Sequence, residues 1–117
     1  MSHSYRDLIS WQKSMALVKR IYVETRSFPK EELFGLCSQM RRSAVSIPCN
    51  IAEGQGRLSK KEFKQFVAIS RGSVLELQTQ LQIATDLEFM CAETADSLMD
   101  MTDELLRILN GLIKSLA

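Results

Sequence analysis

Apolar side chains recur along most of the chain at alternating spacings of three and four, the period of a helix buried on one face. Leu8, Trp11, Met15, Val18 and Tyr22 form the first such stripe, and Lys13, Lys19, Arg20 and Glu24 fall away from it. The spacing predicts a helix over residues 5–26, ended by Ser27-Phe28-Pro29, because proline is tolerated only near a helix start. Leu36, Met40, Ala44, Ile47 and Ile51 form a second stripe whose register runs through Pro48. One helix kinked at Pro48 is therefore expected, stopped by Gly54-Gln55-Gly56.

Ser59-Lys60-Lys61-Glu62 has the form of a capping box, with a serine to accept from a helix-start amide and a glutamate to reach back. Behind it Phe63, Phe66, Val67, Val74, Leu77, Leu81 and Ile83 or Ala84 give an apolar face lasting to about residue 90. Gly72 lies mid-helix, where it costs about 1 kcal/mol against alanine, so a closely approaching neighbour is expected there. A fourth stripe takes Leu98, Met101 or Thr102, Leu105, Leu109, Leu112 and Leu116. No run alternates with the period of a strand. The fold expected is all-α: one domain over residues 1–117, an antiparallel up-down-up-down four-helix bundle.

Composition narrows the chemistry more than the fold. The 117-residue chain carries 15 basic and 14 acidic side chains, a net charge of +1, which is not the balance of a dedicated nucleic-acid binder. Cys37, Cys49 and Cys91 are odd in number and unclustered, so free thiols packing as small hydrophobes are expected, and no metal site. The opening residues lack a signal-peptide profile and the longest strictly apolar run is Met15 to Val18. A cytoplasmic protein with no membrane span is the expectation.

Catalysis finds no candidate set. His3 is the one histidine, too near the chain start to serve a triad. Glu31-Glu32 and Asp103-Glu104 are neighbouring carboxylates, which point in different directions on a helix. The stretch from Gly54 to Lys61 follows a helix rather than a strand, with its lysines after the serine, so it is no phosphate loop of the nucleotide-hydrolase type. No enzyme and no cofactor are expected.

The charge is unevenly distributed along the chain. Residues 1–40 hold six basic and four acidic side chains. Residues 41–71 hold seven basic (Arg41, Arg42, Arg57, Lys60, Lys61, Lys64 and Arg71) against Glu53 and Glu62, or +5. Residues 72–117 hold two basic against eight acidic, or −6. Lys60, Lys61 and Lys64 stand in the first turns of a helix, the positive end of its dipole, where cations cost a few tenths of a kcal/mol each. A helix start with a cap serine and three lysines suits a phosphate, and Arg41, Arg42 and Arg57 can extend that surface. The opposing reading is that these cations meet acidic residues within the chain or across a subunit contact. Trp11, Phe63 and Phe66 fall on core stripes, leaving no stacking platform for single strands. Ser43, Ser46 and Asn50 form a polar stripe suited to hydrogen bonds in a helix–helix seam.

Several runs together resemble a known family. They are Tyr5-Arg6-Asp7-Leu8 with Trp11-Gln12-Lys13, the stretch from Phe28 to Leu36, and Gln39 to Pro48 with Asn50 to Gly54. Gly56-Arg57, Ser59 to Phe63 and Leu109 to Ile113 complete the pattern. The chain resembles the bacterial four-helix proteins found as open reading frames in intervening sequences of large-subunit ribosomal RNA genes. That resemblance implies a homopentameric bundle without catalytic activity. It also implies kinship to the accessory protein of diversity-generating retroelements, which binds nucleic acid and a reverse transcriptase through a basic surface. Arg41, Arg42, Arg57, Lys60 and Lys61 match basic positions of the family pattern. Cys37 and Cys49 depart from its Ser or Thr, and Gln55 from its aromatic or small residue. The expectation is a small homo-oligomer binding RNA or DNA through phosphates, without sequence readout. The alternative is an interaction scaffold with no nucleic-acid role.

Overall fold

The computed structural model describes residues 4–117, so His3 lies outside the described residues. Four α-helices follow in order: α1 (Ile9–Thr25), α2 (Leu36–Gln55), α3 (Lys60–Asp86) and α4 (Ala92–Ser115). Short 3-10 turns at Tyr5–Asp7 and Lys30–Glu32 precede α1 and α2, and there is no strand among the described residues. Each helix packs on two others, α1 on α2 and α4, α3 on α2 and α4. Cross-helix bonds pair rising numbers with falling ones: Ser43 with Glu76 and Ser70 with Ile47, Gln78 with Asp103 and Arg71 with Asn110, Lys13 with Glu104 and Arg20 with Ser97. Neighbouring helices thus run in opposite senses around a core of Leu17, Ile21, Met40, Ile47, Ile51, Leu77, Leu81, Leu98, Leu105 and Leu109. The molecule is a rod of 46 × 23 × 21 Å.

The first stripe is displaced from its expected place. The buried face of α1 is Ser10, Ser14, Leu17, Ile21 and Thr25, while Leu8, Trp11, Met15 and Val18 are half-buried and Tyr22 is exposed. Hydroxyls explain two of these positions, because short polar side chains satisfied by their own helix can be buried at little cost, whereas Ser10 Oγ is buried without a partner. Ser14 Oγ donates to the Trp11 carbonyl at 2.8 Å and Thr25 Oγ1 to the Ile21 carbonyl at 2.6 Å. The helix also starts later than expected: Ser4 caps the Tyr5–Asp7 turn, and Leu8 is extended at φ −73° and ψ 127°.

Helix α2 runs unbroken through Pro48, as its register predicts. Helix α3 ends at Asp86, short of residue 90, where Glu88 turns left-handed at φ 62° and the Phe89 amide donates back to the Ala84 carbonyl at 2.9 Å. Phe89 then meets Phe28, ring centroids 5.7 Å apart.

Two small residues exchange their expected roles. A Cβ on Gly72 would meet nothing within 4 Å, so no neighbour presses on that position. The close approach is at Gly54, where a Cβ would lie 2.6 Å from Phe66 Cβ and 3.1 Å from Phe63 Cδ1. The glycine that reads as a helix stop is the contact that seats α2 on α3.

Of the three free cysteines Cys37 is buried, whereas Cys49 and Cys91 are exposed and so are not the packed hydrophobes expected. Cys91 precedes α4, and its sulfur lies 3.2 Å from Thr94 Oγ1. Hydrogen bonds from the Thr94 hydroxyl and backbone hold that thiol below its ordinary range. Thr94→Val is expected to slow alkylation of Cys91 by iodoacetamide near neutral pH, because the thiolate is the reacting form. An unchanged rate on peptide mapping would show that the Thr94 hydroxyl does not tune this thiol.

Candidate nucleic-acid interface

The antiparallel pairing decides which charges share an end. Divided at the helix midpoints, one half of the rod holds residues 4–17, 46–73 and 104–117, with nine basic and four acidic side chains. The other half holds six basic and ten acidic. Arg57, Lys60, Lys61 and Lys64 belong to the basic half. Arg41 and Arg42 belong to the other, about 20 Å of helix rise from the end of α2. The six residues proposed from the sequence therefore form two groups rather than one surface.

Each group has its own chemistry. Arg41 is half-buried and ties α2 to α1: its Nε donates to Thr25 Oγ1 at 3.0 Å, and its guanidinium stacks 4.6 Å from the Tyr22 ring centroid. Arg42 is exposed and has no ion pair among the described residues. Arg57 lies 3.6 Å from Glu53 and 3.9 Å from Glu62, with its guanidinium 4.8 Å from the Phe66 ring centroid. It anchors the loop between α2 and α3 as much as it adds charge.

Lys60 and Lys61 are exposed, Lys64 is half-buried, and no carboxylate lies within 4 Å of any of them among the described residues. The cap at this helix start is partly as expected. Ser59 Oγ accepts from the Glu62 amide at 3.1 Å, while the Glu62 carboxylate turns to the Ser59 hydroxyl and to Arg57. The first turn of α3 is thus already capped, and its lysines stand around it as uncompensated charge.

Arg6, Arg107 and Lys114 are the part missed in chain order. Arg71 Nε donates to Asn110 Oδ1 at 2.7 Å, which sets the second half of α4 beside the first half of α3. Arg107 and Lys114, counted in the acidic segment of the sequence, therefore stand at the basic end. The signal was available: an antiparallel bundle brings the end of the fourth helix to the start of the third. At physiological salt the screening length is about 8 Å, far below the 46 Å long axis. An approaching polyanion meets the charge of one end, not the sum over the chain.

The polar stripe of α2 does serve a helix–helix seam. Ser43 donates to Glu76, Ser46 shares a 2.5 Å hydrogen bond with Ser73, and Asn50 Nδ2 donates to the Ser46 carbonyl at 2.8 Å. Trp11, Phe63 and Phe66 are half-buried against the bundle. No helix of the described residues is long and apolar enough to cross a membrane.

A solved structure of a protein of unknown function from the S23 ribosomal protein family of Bacteroides thetaiotaomicron shares this fold. Its TM-score is 0.84 at 24% identity, covering 91% of this chain and 96% of that one. No protein with a curated description matches the chain. The sequence profile of the 23S rRNA-intervening sequence protein family matches residues 6–111. That match takes in α1, α2 and α3 and most of α4, nearly the whole length, and the chain belongs to the 23S rRNA-intervening sequence protein family.

Proposed function

We propose that this protein is a homo-oligomeric, non-catalytic, cytoplasmic helical bundle that binds RNA or DNA through phosphate contacts at its basic end, without reading sequence. The observation that supports this reading is the nine-to-four excess of cations at one end, with three lysines around a helix start where stability alone favours acids. Phosphate contacts position a nucleic acid without specifying it, and the half-buried aromatics offer no base-stacking surface. Self-association is proposed from exposed apolar side chains beside the α1–α2 seam. Phe34 is 93% exposed, and with Tyr22, Leu33 and Val45 it borders a shallow groove of about 550 Å³.

A salt-titrated binding assay with a duplex of arbitrary sequence tests the phosphate reading. Affinity should fall steeply and log-linearly with salt, and should change little when the sequence is scrambled. No binding even at low salt would refute it. The specific alternative is a scaffold in which the basic end of one copy meets the acidic half of the next. Light scattering distinguishes the two: association through apolar contacts persists at high salt, whereas charge pairing loosens.

A further inference from the structure

Between α2 and α3, in the half of the rod away from the basic end, a polar groove of about 620 Å³ opens to solvent. Arg42, Ser43 and Ser46 line it from α2, and Glu76, Thr79 and Gln80 from α3. Gln80 is only 7% exposed, and its Oε1 is buried without a hydrogen-bond partner. An unmet buried acceptor costs about 1–3 kcal/mol, so this position wants a donor that the chain does not give it. The nearby hydroxyls are already engaged, Ser43 with Glu76, Ser46 with Ser73, and Thr79 with the Leu75 carbonyl. Arg42 and Glu76 line the same groove without forming an ion pair.

We propose that this groove binds a small zwitterion of the amino-acid class, its carboxylate on Arg42 and its ammonium on Glu76 and, with the buried Gln80 carboxamide turned into the groove, on Gln80 Oε1. The charges select this class. An anion alone would face the Glu76 carboxylate, and a cation alone would face Arg42. A nucleotide would bring several negative charges against Glu76 and a base with no aromatic ring to stack on. A guanidinium takes a carboxylate by two parallel hydrogen bonds. An ammonium has three donors, enough for a carboxamide oxygen and a carboxylate together. The site shares no charged residue with the basic end, so it stands or falls apart from nucleic-acid binding.

The test is an NMR titration of the full chain with individual proteinogenic amino acids at millimolar concentration. At least one should give a saturable shift of the Gln80 side-chain amide and of the Ser43 and Ser46 backbone amides. Arg42→Ala, at an exposed position, should weaken that binding by about tenfold or more, and Lys60→Ala should leave it unchanged. Gln80→Leu should abolish it while keeping the helical circular dichroism, because an apolar group removes the unmet acceptor. If no amino acid gives a saturable shift, the groove holds water alone and the proposal is wrong. Equal responses to acetate or to methylammonium would also overturn it, since half the ligand would then suffice.

Discussion

Gly54→Ala is expected to destabilise the bundle by about 2–3 kcal/mol, while Gly72→Ala stabilises it by roughly 0.5–1 kcal/mol. Both glycines lie within helices, so propensity alone predicts a gain from each. Packing decides the sign. At Gly54 the new methyl would sit 2.6 Å from Phe66 Cβ, an atom fixed to the α3 backbone that cannot rotate away. Relief requires moving α2 from α3 at the seam that Ser43, Ser46 and Ser70 hold together. At Gly72 the methyl meets open space, and only the helix gain remains. Thermal unfolding at matched protein concentration reads both, with Tm lowered by roughly 10 °C for Gly54→Ala. Equal shifts in the same direction would show that α2 and α3 do not approach closely at Gly54.

Removing all three lysines (Lys60→Ala, Lys61→Ala and Lys64→Ala together) is expected to move stability and binding in opposite directions. Each lysine opposes the positive end of the α3 dipole, so the triple variant should gain roughly 1 kcal/mol of stability. The same change removes three phosphate contacts, which should lower the slope of log affinity against log salt on duplex DNA by about 2–3 units. A loss of binding by a more stable protein cannot be laid to misfolding. Arg42→Ala, in the other half of the rod, should leave the slope unchanged. If Arg42→Ala and the triple variant lower it alike, the phosphates do not sit at the basic end.

The helix count and most of the core were legible in the spacing of apolar residues. Met40, Ile47 and Ile51, then Leu77 and Leu81, and Leu98, Leu105 and Leu109 fall where their stripes put them. The stripe of α1 misleads because an apolar pattern is blind to Ser10, Ser14 and Thr25, small enough to be buried and, for Ser14 and Thr25, bonded to their own helix. Gly54 and Gly72 exchange roles for a related reason: a glycine in a sequence marks a small residue, and only the neighbouring helix says whether the space is used. The basic lysines of α3 were visible in the chain. Arg107 and Lys114 were not, because they lie in a mostly acidic segment and join the cations only through the antiparallel return of α4. Arg41 read as a free cation until its bonds to α1 were in place.

The proposed phosphate-binding surface lies at one end of a chain whose net charge is only +1. Mapping backbone amide shifts by NMR on adding a short duplex at low salt tests it most directly. Shifts are expected in residues 57–71 and 107–117, reversed by added salt and independent of the duplex sequence. Shifts centred on residues 36–45 or 76–104, or none at the lowest salt, would contradict it.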